Sequence, residues 1–110
     1  SKLMQLRVLV EPYFQQSLEA EHPKLARTLE ALDAQWAAQG PSLFDIAGRA
    51  EELSERLPGT PFHEQMRRFS PRLTQLHDEV ERLCADWELA AADRLLYELE
   101  DLFVDLERDL

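Results

Sequence analysis

From Asp86 to the carboxyl end, Leu89, Ala92, Leu96, Leu99, Phe103, Leu106 and Leu110 recur at steps of three and four. That spacing lays one apolar stripe along a helix, and Leu95 and Leu102 widen it on one side. Asp86 is expected to cap this helix, its carboxylate accepting from first-turn amides, with Glu88 adding favourable charge. The segment before it carries Leu73, Leu76, Val80, Leu83 and Trp87 at the same spacing, with Asp78, Glu79, Glu81 and Arg82 on other faces. It predicts a second amphipathic helix. Two starts are open to it: Ser70 and Pro71 as cap and first residue, or a longer helix from Thr60 and Pro61 that kinks at Pro71.

The residues Pro58, Gly59, Thr60 and Pro61 form the clearest turn. Upstream, Leu43, Ile46, Ala50, Leu53 and Leu57 give a stripe from Ser42 to Leu57, opened by Ser42 with Asp45 three residues on, an acidic capping box. Gly40 and Pro41 stop the preceding helix, which reads Phe14, Leu18, Leu25, Leu29, Leu32 and Trp36. Pro23 falls inside that pattern, where it kinks a continuing helix or restarts it; a kinked continuation is expected. Leu3, Leu6 and Val10 predict a short separate helix ended near Pro12. Four amphipathic segments joined by short turns, with no alternating strand pattern, predict an all-α fold: an antiparallel four-helix bundle with a short extra N-terminal helix or turn, one domain over residues 1–110.

Composition narrows the function classes. In 110 residues, 12 Lys and Arg stand against 22 Asp and Glu, a formal net charge of −10. An acidic surface argues against nucleic acid as ligand. The single Cys84 provides no internal disulfide and no thiolate cluster for zinc. No run of 18 or more apolar residues occurs, and the amino end lacks a signal-peptide plan, so a cytoplasmic chain without a membrane segment is expected.

Candidate chemistry rests on three histidines. His22 lies between Leu18 and Leu25 on the seam before Pro23 and is expected to pack or cap the kink. His63, beside Glu64 and four residues before Arg67, is expected on the surface. His77 borders the Leu73 to Val80 stripe beside Asp78, with Glu81 one turn on and Cys84 a further turn away; a boundary histidine is expected there rather than a metal ligand. The carboxylates Asp101, Asp105, Glu107 and Asp109 read as a solvated helix face. Neither a nucleophile elbow nor a glycine-rich phosphate loop is present. Trp36 and Trp87 lie on helix stripes and are expected to pack.

The layout resembles the histidine-phosphotransfer family, acidic bundles that relay phosphate between receiver domains. Tyr13 and Phe14 through Leu32, with Pro23 within, look like the family's long first bundle helix. Leu57-Pro58-Gly59 lies where that family turns between its second and third bundle helices, and Asp86-Trp87-Glu88 leading to Ala91, Leu95, Leu96, Leu99 and Phe103 is similar to its acidic-aromatic lead into the last helix. The family's His-x-x-Lys-Gly phosphoacceptor motif is missing: the matching helix, Ser42 to Leu57, holds no histidine and carries Gly48, Arg49, Glu51 and Glu52. The resemblance therefore implies a non-phosphorylatable relative that keeps the docking surface.

The function expected from the sequence is a non-catalytic protein-protein interaction module with a regulatory or signalling output. Its binding surface is Phe44, Ala47, Gly48, Arg49 and Glu52 on the second bundle helix. The partner is a protein, either a response-regulator receiver domain or a basic protein, with no cofactor and no metal, and the chain itself is a monomer or a homodimer. The alternative is histidine phosphotransfer through a non-standard acceptor, His63 or His77.

Overall fold

The computed structural model describes residues 9–12 and 17–110. Among the described residues all regular structure is helical: α1 (Leu18–Glu21), α2 (Pro23–Leu32), α3 (Ala34–Ala38), α4 (Leu43–Gly48), α5 (Ala50–Leu53), α6 (Pro61–Ala85) and α7 (Leu89–Arg108). None is long and apolar enough to cross a membrane. Phe14 and the expected helix at Leu3 and Leu6 lie outside the described residues; Val10 is described and is not helical.

The first apolar run is not one kinked helix. Pro23 starts α2 as its first residue, and His22 before it sits at φ −136°, ψ 67°, outside the helical region that a following proline disfavours. A second break falls at Asp33, at φ −155°, ψ 85°, whose Oδ1 accepts from the Trp36 amide at 3.1 Å to open α3. His22 makes no side-chain cap for α2. That task passes to Glu107 near the end of α7, whose carboxylate accepts from the Lys24 and Leu25 amides at 3.1 and 3.0 Å. A negative charge at a helix start answers both the orphan donors and the dipole, and here it also ties the two ends of the described fold together.

The Ser42–Asp45 capping box forms in both directions. The helix it opens stops at Gly48, resumes after Arg49 and ends at Leu53, short of Leu57, which takes a left-handed φ of 54°. Thr60 caps α6 through the His63 amide, with Pro61 as first residue. α6 then runs unbroken past Pro71 to Ala85, so Ser70 starts no helix of its own. Asp86 closes α6 rather than opening α7, which begins after Glu88 without a side-chain cap.

α6 is the spine, packing along α7 on one side and against α4 and α5 on another, while α2 leans on α3 and α7. The main core joins Leu25 and Leu29 of α2, Ile46, Ala47, Ala50 and Leu53 of α4 and α5, Met66, Leu73 and Leu76 of α6, and Leu99, Phe103 and Leu106 of α7. A smaller cluster of Val80, Leu83, Cys84 and Ala92 fills the far end of the α6–α7 pair. Burial of these stripes supplies the main favourable term. Trp36 packs against the core half-buried, whereas Trp87 is 57% exposed and no part of it.

Candidate functional site

The proposed surface on α4 meets α6 at His77. Phe44 and the His77 ring stack with centroids 4.4 Å apart and planes 28° from parallel. One turn along α4, Gly48 takes the place of a side chain: a Cβ there would stand 2.9 Å from His77 Nε2 and 3.1 Å from its Cδ2. Only glycine lets the imidazole lie this close to α4. On its other side, His77 Nδ1 is 3.0 Å from Asp78 Oδ1. An ionised carboxylate only accepts, so Nδ1 carries the hydrogen and, in the neutral ring, Nε2 keeps an in-plane lone pair, while Gly48 lies over the ring face.

Arg49, where α4 gives way to α5, is held from three directions. Its guanidinium lies over the Trp36 ring at 4.1 Å, bonds Glu52 through Nε at 3.2 Å and Nη2 at 2.8 Å, and approaches Asp33 at 3.7 Å. The forked bond to Arg49 holds the Glu52 carboxyl below the usual carboxylate range and pushes the guanidinium up. Because Glu52 is exposed and Arg49 half-buried, water screens much of this pairing. Its structural effect is a pre-oriented Arg at the surface, with α3 clamped to α5.

Of the residues expected to bind, Gly48 and Glu52 are exposed, and Phe44 and Arg49 are half-buried, Phe44 against His77 and Arg49 over Trp36. Ala47 is wholly buried in the core and offers a partner nothing. The sequence treated His77 apart from this set, since nothing in α6 marks which helix it will touch. The one local signal was Gly48 within an otherwise good helical stripe, a residue that often records a close approach.

The other histidines stand elsewhere. His63 is half-buried, with Nδ1 2.9 Å from the Arg56 carbonyl, so it ties the turn before α6 rather than standing free on the surface. His22 is 4% exposed near Phe103, and its Nδ1 has no hydrogen-bond partner among the described residues. Burial lowers its pKa against the opposing pull of Glu107 and Glu21. Cys84 is buried and its thiol pKa is raised by that burial. Among the described residues no three His, Cys, Asp or Glu side chains converge as a metal site, the His77, Glu81 and Cys84 set included.

Comparisons with protein-family models, with curated proteins and with solved structures find no match.

Proposed function

We propose that the chain is a non-catalytic interaction module with a regulatory or signalling output, built as an antiparallel four-helix bundle. In this reading α1 to α3, α4 with α5, α6 and α7 are its four arms, and it docks a partner protein on the face made by Phe44, Gly48, Arg49 and Glu52 together with His77. The observation that carries the reading is the pre-oriented Arg49–Glu52 pair, next to the exposed Gly48 and the stacked Phe44–His77 pair. Groups already fixed by Trp36, Glu52 and Asp78 lose little further freedom on binding, which favours affinity. A receiver domain or a basic protein is the partner, and the net charge of −10 makes association with a basic surface faster at low salt.

A pull-down at low and moderate salt with the wild type and with Glu52→Arg tests this. A partner held by the wild type and lost by the variant supports it; partners retained equally by both contradict it.

The geometry at His77 favours a second reading, phosphotransfer. With Nδ1–H donated to Asp78, the in-plane Nε2 lone pair is the nucleophile, and Gly48 lets the ring lie flat against α4. The Nε2–phosphorus bond forms as the bond from phosphorus to the receiver's oxygen breaks, and Asp78 balances the charge gained by the ring. His63 shares the tautomer but has no glycine beside it. Incubation with a phosphorylated receiver separates the readings: acid-labile label on His77 establishes transfer, and an unlabelled protein leaves docking alone.

A further inference from the structure

Trp87 occupies a position where the fold asks for glycine. At the end of α6 the Trp87 amide donates to the Cys84 carbonyl at 3.1 Å and the Glu88 amide to the Leu83 carbonyl at 2.9 Å. This pair of bonds closes a helix around a left-handed residue, and Trp87 has φ 58°. An L-residue is strained there, and a side chain 57% exposed recovers little of that cost by burial. Strain maintained without compensating packing points to use of the side chain from outside.

Trp87 borders a cleft of about 700 Å³ whose apolar wall also includes Leu9 and Phe44 and whose acidic groups are Glu11, Asp45 and Glu81, with no Lys or Arg among the described lining residues. The geometry points to this cleft as a docking site for a basic amphipathic helix of a partner protein. A large apolar side chain of that helix seats against Trp87 and Phe44, and its Lys or Arg residues cover Glu11, Asp45 and Glu81. Charge selects this occupant. A second copy would bring the same acidic groups and a net charge of −10 against its like, and an anionic lipid surface would be repelled as well. A strand is disfavoured because the described residues offer no sheet edge to extend, which leaves the helix-in-groove mode with its apolar anchors. The inference deepens the docking reading and rests on it through Phe44, which both surfaces share; Glu52, the residue that tests that reading, lies outside this cleft.

The experiment titrates the full chain with a synthetic amphipathic helix of Leu and Lys, about 15 residues long, and with its Leu-Glu counterpart, following backbone amide shifts. The Leu-Lys peptide is expected to shift Phe44, Asp45, Glu81 and Trp87, more weakly as salt rises, while the Leu-Glu peptide does not bind. Trp87→Gly relieves the left-handed strain, so it is expected to melt no lower than wild type and to bind the Leu-Lys peptide about tenfold more weakly. Glu81→Lys, on the exposed side of α6, is expected to weaken binding about threefold and flatten the salt dependence. Shifts that map to Tyr97 and Val104 on α7, equal binding of both peptides, or Trp87→Gly binding within twofold of wild type would each overturn the proposal. Glu52→Arg is expected to leave peptide binding unchanged, so a failure here is distinct from a failure of partner docking at Glu52.

Discussion

His77 Nε2 lies 2.9 Å from the point where a Cβ on Gly48 would stand, so the imidazole of α6 and the backbone of α4 share a space that no larger residue at position 48 leaves open. The ring has little room to yield, because Phe44 covers one face and Asp78 holds Nδ1.

Gly48→Ala therefore sets two effects against each other. Alanine favours a helix over glycine by roughly 0.5–1 kcal/mol, whereas forcing an extra carbon into a packed contact costs about 1–3 kcal/mol. The clash is expected to win, leaving the variant less stable by about 1 kcal/mol in urea titration. In a His77→Ala background the obstacle is gone and the same substitution is expected to stabilise. A Gly48→Ala effect of the same sign in both backgrounds would show that the two residues do not touch.

Among the described residues the Glu107 carboxylate is the only side-chain acceptor for the Lys24 and Leu25 amides at the start of α2. Glu107→Ala removes it and is expected to cost about 1–2 kcal/mol, the range of a lost helix cap, with Glu107→Gln costing less because an amide oxygen still accepts. Denaturation midpoints of the two variants check the order.

Burial of His22 lowers its pKa below 6.5. The unfolded chain, with the ordinary value, then binds more protons than the folded one between 6.5 and the depressed folded pKa. Stability rises with pH across that window: it is fully present above 6.5 and is lost as pH falls toward the folded value. His22→Leu abolishes this component. The expected result is a gap between wild type and variant that shifts against the wild type as pH falls from about 7.5 to 5. Parallel stability curves over that range would contradict it.

The parts of the fold legible in the sequence were those written by adjacent residues. Ser42 with Asp45, and Thr60 with Pro61, carry their helix starts within four positions; the first forms as expected, and the second is the one of two open starts that the chain takes. The stripes of α6 and α7 were legible because a continuous apolar face has one period. The breaks at Asp33 and Arg49 were not, since the apolar spacing of Leu29, Leu32 and Trp36, and of Ile46, Ala50 and Leu53, runs on across them; at Pro23 a kink and a restart read alike. Asp86 is chemically suited to open a helix, but Trp87 adopts the left-handed conformation next to it and makes Asp86 a terminus of α6 instead. At the site, Gly48 signalled a close approach without naming the group that approaches. The Phe44–His77 stack joins residues on different helices, and only tertiary packing decides that pair. Ala47 shows the converse: a small residue beside surface positions reads as surface, yet it faces the core.

The central claim is that partners dock on the surface formed by α4 and α5, and a photo-crosslinking residue placed there tests it most directly. With the crosslinker at Glu52, irradiation in the presence of the captured partner is expected to give a covalent adduct, and with it at Asp101 on α7 none. An adduct from position 101 without one from position 52 would contradict the account.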